Sequence, residues 1–154
     1  MKNIHEALVK HNLHSDIKVS SPIALSALGS SYQSSAGSFR PELVEPVFEP
    51  MLEFIRGTLM VNVYPFSAYE ANTTVISLDY TLFRENPGVV DPGNSLRYYN
   101  LFDAQIDAVF AAMSALKYDD VDIVVTETRW PSKGDSNEVG ASGQRRCLQR
   151  ESHP

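Results

Sequence analysis

The sequence has one cysteine, Cys147, so no internal disulfide is available to hold the fold. Arg145 and Arg146 would lower the pKa of its thiol, but a lone cysteine in a polar tail reads as incidental. It lacks a basic excess: 13 Lys and Arg stand against 19 Asp and Glu, a net charge of -6 with a pI near 5.1. An acidic chain is repelled by phosphate backbones, which excludes nucleic acid as the expected partner. No apolar run approaches the ~20 residues that cross a bilayer, so no membrane span is expected. The N-terminus lacks the charged, apolar, then small-residue pattern of a signal peptide. His5, His11 and His14 lie near the start without an acid or cysteine at ligand spacing, so neither a metal nor a cofactor is assigned.

What is present is an alternation. Ile4, Ala7, Leu8 and His11 share a helical face within 3–13. Ile17-Lys18-Val19-Ser20 reads as a short strand, and Ser21 to Phe39 as a Ser/Gly-rich loop. Helical spacing returns from Pro41 to Ile55. Pro46 and Pro50 each remove a backbone donor, so a regular helix is expected only from about Pro50. Leu59 to Val63 reads as a buried strand ending on the aromatic cluster Tyr64-Pro65-Phe66-Ser67-Ala68-Tyr69. Residues 70–100 form a long irregular segment, expected to be ordered by Tyr80, Phe83, Tyr98 and Tyr99. Leu101 to Leu116 is the clearest helix. Asn100 is its cap, and Phe102, Ile106, Val109, Phe110, Met113 and Leu116 are its expected buried face. Ile123 to Val125 then reads as a strand buried on both faces, stopping on Glu127 before Trp130-Pro131.

Helix, strand, helix, strand, helix, strand implies parallel strands with crossover helices. The fold class is α/β, with the long loops on one side of the sheet, as on the active face of a (β/α)8 barrel. At ~250 residues for a full barrel, this length holds about half of one. An acid at the carboxyl end of such a strand is either a sugar-cleaving group or a salt-bridged, solvated residue.

Several stretches carry a resemblance. They include Asn3-Ile4-His5-Glu6-Ala7-Leu8, Ser35-Ala36-Gly37-Ser38-Phe39-Arg40-Pro41-Glu42, Leu59-Met60-Val61-Asn62-Val63-Tyr64-Pro65, Asn100-Leu101-Phe102-Asp103-Ala104-Gln105, and Val124 to Ser132. Together they resemble the plant endo-1,3-β-glucanases of glycoside hydrolase family 17, over nearly all of 3–142. The resemblance implies a partial (β/α)8 TIM barrel of about three central βα units. It implies hydrolysis of internal β-1,3-glucosidic bonds in β-1,3-glucan with retention of configuration, and no cofactor. The family nucleophile, in a Thr/Ser-Glu-Thr/Ser-Gly-Trp-Pro-Ser motif, falls on Glu127. A retaining mechanism needs a second carboxylic acid ~5 Å away to protonate the leaving oxygen. In the family that acid sits in a Gly-Asn-Glu motif, which this sequence does not contain. The chain is therefore expected to be a fragment without hydrolytic activity of its own. The alternative is a non-catalytic remnant or a carbohydrate-binding or interaction module. Tyr64 is expected either to line the sugar cleft or to pack in the core. Asn62 either bonds sugar hydroxyls or satisfies backbone. Trp130 either touches substrate or packs beneath the nucleophile. The family's members are commonly secreted, so the parent protein is expected outside the cell or in the cell wall. There Asn72-Thr73-Thr74 would be a glycosylation sequon. Defence and cell-wall remodelling both remain open as its role.

Three departures stand out. Ser67 replaces an aromatic of the family pattern, which is expected to weaken glucan binding. Arg129 replaces the motif's Gly, expected to cause strain if that position has positive φ, or to block the cleft. Residues 143–154 leave the pattern: one permitted choice of codons, shifted by one base, reads Val-Asn-Ala-Ala-Ala-Tyr-Asn-Gly-Asn-Leu, as the family does. The domain is accordingly expected over 1–142, with 143–154 an aberrant, disordered tail.

Overall fold

A computed structural model describes residues 1–55 and 57–131. The expectations for the tail, and for Cys147 within it, lie outside the described residues. The central element is a three-stranded parallel sheet in the order β1-β4-β7, formed by β1 (Pro22–Ala24), β4 (Thr58–Asn62) and β7 (Asp122–Glu127). Helices lie between these strands in sequence, as the alternation predicts. A hairpin of β2 (Leu28–Ser30) and β3 (Ser38–Phe39) and a second of β5 (Val89–Val90) and β6 (Arg97–Tyr98) stand apart from the sheet.

The first strand is not where periodicity puts it. Ile17 is 47% exposed, and the ladder instead runs Pro22↔Met60, Ile23↔Val61 and Ala24↔Asn62. Proline lacks a donor but is tolerated as the first residue of a strand. Ser20 Oγ donates to Thr58 O at 2.9 Å just before the ladder begins. The expected loop from Ser21 to Phe39 thus contains β1, β2 and β3.

The core lies on one face of the sheet. Leu59, Val61 and Val63 are fully buried there, with Leu52 from α3 (Glu49–Ile55) and Val109 and Met113 from α6 (Leu101–Ala115). Phe39 stacks on Phe48 with ring centroids 3.9 Å apart. Burying each such side chain is worth about 1.5–3 kcal/mol. The chain reaches α3 through a short helix, α2 (Pro41–Leu43), and a π-helical turn over Val44–Phe48. That turn absorbs the missing donor of Pro46, as the proline spacing anticipates.

Helix α6 starts where expected, ends one residue earlier at Ala115, and has the expected cap: Asn100 Oδ1 accepts from Asp103 N at 2.8 Å. Its buried face is rotated from the expected one. Leu101, Gln105, Ala108 and Ala112 are inside, whereas Phe110 is 43% exposed. Small residues decide this. A Cβ on Gly37 would lie 2.0 Å from Ala108 O, so only glycine lets the loop after β2 press against the helix backbone. Ser34 Oγ also donates to Ala104 O at 2.8 Å.

One further expectation is corrected. Val124 is 45% exposed, so β7 is not buried on both faces; it is the outer strand of the described sheet. The residues after Tyr64 form a helix, α4 (Pro65–Ala71), with Pro65 at its first position where a missing donor costs nothing. The first helix, α1 (Lys2–Lys10), is amphipathic but has no buried residue, and Ile4 is 59% exposed. The long segment is ordered by its aromatics. Ile76, Tyr80, Tyr98 and Leu101 form a second core beside α5 (Leu78–Thr81). Among the described residues no helix is long and apolar enough to cross a membrane.

Candidate active site

Because β1, β4 and β7 are parallel, their carboxyl ends lie on one side, and there the sequence's candidate residues meet. The pairing of β4 with β7 runs Leu59↔Ile123, Met60↔Val124, Val61↔Val125 and then Asn62↔Glu127. Thr126 is the extra residue of a β-bulge. Side chains alternate along a strand, so without the bulge Glu127 would follow Ile123 and Val125 toward the helix-packed face. The bulge brings it into register with Asn62. Thr126 Oγ1 donates to Asn62 Oδ1 at 2.7 Å, and Val63 N donates to Glu127 O at 2.8 Å. These two bonds fix the bulged backbone.

Glu127 is exposed, and Tyr64 is half-buried beside it. The Tyr64 phenol donates to Glu127 Oε2. That hydrogen bond, then partial desolvation and the carboxylate's charge, push the phenol above its ordinary pKa, while Arg129 pulls the other way. Arg129 places its guanidinium 5.5 Å from the Tyr64 ring centroid, within cation–π range. It is not among the residues with positive φ, so the expected backbone strain does not arise. It makes no ion pair with Glu127 among the described residues; the Tyr64 ring takes the charge instead.

Trp130 is half-buried and meets Phe66 edge-on, with centroids 4.8 Å apart, so it packs on α4. Its buried Nε1 has no hydrogen-bond partner among the described residues. Trp130, Arg129 and Thr128 line an open cleft of about 410 Å³ together with Phe83, Phe102 and Asp103. Phe83 was visible in the sequence only as an ordering aromatic. It is held at φ 59 and is 45% exposed, an uncommon state for a bulky residue. No sequence signal marks Thr126, whose role comes from the bulge. Ser67 lines a second hollow on the β1 side of Tyr64.

An exposed carboxylate held by a phenol donor, with aromatic walls beside it, has the parts to attack an electrophilic carbon or to stabilise positive charge. Among the described residues, no three His, Cys, Asp or Glu groups cluster as a metal site.

The profile of the glycosyl hydrolases family 17 matches residues 1–146. The chain is 39% identical over 151 residues to glucan endo-1,3-beta-glucosidase 14 of Arabidopsis thaliana, covering 96% of this chain and 38% of that protein. It is 45% identical over 147 residues to glucan endo-1,3-beta-glucosidase 10 of the same plant, covering 92% of this chain and 34% of the relative. Among solved structures, one of two plant beta-glucan endohydrolases with distinct substrate specificities superposes with a TM-score of 0.86 at 34% identity, over 98% of this chain and 49% of that one. CJP38, a beta-1,3-glucanase and allergen of Cryptomeria japonica pollen, superposes at 0.80 with 42% identity, over 86% of this chain and 41% of its own. The chain thus spans about a quarter to a half of the length of the proteins it matches.

Proposed function

We propose, for a chain that belongs to the glycosyl hydrolases family 17, that it carries the nucleophile half of a retaining β-1,3-glucan endohydrolase site. The observation that supports this is the bulge-set carboxylate of Glu127, held by the Tyr64 phenol at the carboxyl ends of parallel strands. In this reading the described sheet is part of a (β/α)8 barrel, contributing about three central βα units. The Glu127 carboxylate attacks the anomeric carbon and forms a glycosyl-enzyme, while a second carboxylic acid protonates the departing oxygen. Tyr64 holds the carboxylate oxygen it bonds, so that the other faces the sugar. Asn62 accepts from Thr126 through Oδ1, which leaves its amide nitrogen to donate to a sugar hydroxyl. Trp130 packs against Phe66 and lines the cleft, which supports the packing role beside the nucleophile. The substrate is β-1,3-glucan, and the protein works outside the cell or in the cell wall.

The second carboxyl is the part these 154 residues do not supply in the family's motif. That favours, for the 154-residue chain taken alone, the alternative of a carbohydrate-binding remnant without turnover.

An activated 2-fluoro-β-glucosyl donor tests the nucleophile without the acid, because its leaving group departs unprotonated. The expected result is a covalent glycosyl adduct on the Glu127 peptide by mass spectrometry, absent in Glu127→Gln. A chain that binds β-1,3-gluco-oligosaccharide yet forms no adduct would refute the nucleophile assignment. Robust release of reducing ends from β-1,3-glucan by the 154 residues, abolished in Glu127→Gln, would overturn the non-catalytic alternative.

A further inference from the structure

Asn72-Thr73-Thr74 is the motif that the proposed chemistry leaves unused. It is the one Asn-x-Ser/Thr triplet in the 154 residues, and its middle residue is not proline. The structure places it in the turn just past α4. Residues 70–75 are all exposed, with Val75 at 56%. None of them lines the cleft beside Trp130 or the hollow beside Tyr64.

The fold uses neither side chain of the motif. Backbone bonds hold the turn: Asn72 N donates to Tyr69 O at 3.0 Å, and Asn72 O accepts from Val75 N at 3.2 Å and Ile76 N at 3.0 Å. The Asn72 side chain pairs only within the motif, where Thr74 Oγ1 donates to Asn72 Oδ1 at 3.2 Å. That bond occupies the amide oxygen. It leaves the amide nitrogen without a hydrogen-bond partner among the described residues. Helix α4 begins directly after Tyr64, and seven residues at ~1.5 Å each carry Asn72 about 10 Å along from the strand ends. A bulky, hydrophilic group attached there displaces water rather than packing, and it shields Val75.

We propose that Asn72 is an N-glycosylation site. The inference rests on the reading that the protein works outside the cell, and adds a modification to it. The co-reactant is an oligosaccharide carried on a polyprenol pyrophosphate. The Asn72 amide nitrogen attacks the anomeric carbon of that sugar and loses one proton. A carbon–nitrogen bond forms, the bond from that carbon to the phosphate oxygen breaks, and the polyprenol pyrophosphate leaves with the electron pair. Thr74 does not react; its hydroxyl positions the amide.

The test is expression of the full chain behind an added secretory leader in plant cells. The glycan-releasing amidase is applied in heavy-oxygen water, which converts a glycosylated asparagine to labelled aspartate, and the peptides are read by mass spectrometry. Both the exported and the endomembrane-retained chain are analysed, because glycan transfer precedes export. The label is expected at position 72 and at no other asparagine. It is expected to be lost in Thr74→Ala and kept in Thr74→Ser, which retains the hydroxyl. Both substitutions are at an exposed position and leave the core untouched. A bare Asn72 in the leader-bearing chain overturns the site while the extracellular reading stands. A label that persists in Thr74→Ala overturns it too. A parent protein confined to the cytosol of its own cells refutes the extracellular reading, and the site with it. None of these outcomes depends on glucan binding or on adduct formation at Glu127.

Discussion

The Tyr64 phenol donates to the Glu127 carboxylate across 63 residues of sequence, and this bond joins the ends of β4 and β7. It makes the candidate nucleophile and its neighbour one coupled unit. The charge on Glu127 raises the proton affinity of Tyr64, and the Tyr64 hydroxyl directs one oxygen of Glu127.

The coupling is readable by pH. Tyr64 is raised above 10.0 by the hydrogen bond to Glu127, by desolvation and by the carboxylate's charge. Its contribution to stability is therefore complete below 10.0 and is lost as pH rises through the higher folded value. Phenolate absorbance is expected to show Tyr64 titrating late alongside the buried Tyr80 and Tyr98, with one late tyrosine fewer in Tyr64→Phe and one moved back toward 10.0 in Glu127→Gln. If Glu127→Gln leaves that titration unmoved, the bond is not formed in solution. Tyr64→Phe is also expected to slow glycosyl-adduct formation about tenfold or more, the worth of a hydrogen bond to a charged group.

Arg129 covers the Tyr64 ring and lines the cleft. Arg129→Gly removes a cation–π contact worth about 0.5–1 kcal/mol at an exposed site and frees the ring face. Affinity for β-1,3-gluco-oligosaccharide is expected to rise a few-fold. Since Arg129 lowers the Tyr64 pKa, the variant's phenol is expected to titrate later still. Unchanged affinity in calorimetry would show that the guanidinium does not compete with sugar.

Asp91 holds the long segment to the loop after β2. It is 3% exposed and accepts from Ser35 Oγ at 2.6 Å, Ser35 N at 2.7 Å and Gly93 N at 2.8 Å. Burial alone would raise its pKa, but these bonds and that from the Asn94 backbone outweigh it and lower it below 3.8. The stabilisation is thus present above 3.8 and lost as pH falls through the lower folded value. Asp91→Asn turns one acceptor into a donor facing N–H or O–H groups and is expected to cost about 1.5–3 kcal/mol at neutral pH. Denaturant melts at neutral and acid pH check both the cost and its shrinkage in acid.

Gly37 faces the backbone of α6. A methyl there would sit 2.0 Å from Ala108 O, so either the loop or the helix carrying Gln105 must shift. Gly37→Ala is expected to destabilise by about 2 kcal/mol or more, as overpacking of a tight contact does. A melt matching wild type would show that the loop, not the helix, yields.

Much of this was legible along the chain. The alternation of helix and strand, the cap of α6 at Asn100, the break around Pro46 and the ordering of the long segment follow from spacing and side-chain chemistry, which are local. The Thr126-Glu127-Thr128 stretch with Trp130 and Pro131 likewise marked the candidate carboxylate. The misplaced elements are those whose evidence is not local. Ile17–Ser20 has as good a strand pattern as Pro22–Ala24, and only the ladder with β4 separates them. The face of α6 turns on a glycine 71 positions before Ala108, which no helical period contains.

By itself, then, the sequence determined the parallel α/β class and that Glu127 ends a strand. The direction in which Glu127 points was decided by tertiary structure alone. Alternation carries it toward the helix-packed face where Val63 is buried, and the bulge at Thr126 turns it to the face of Asn62. A bulge is a mismatch between two strands' counts, so it exists only once β4 and β7 are paired.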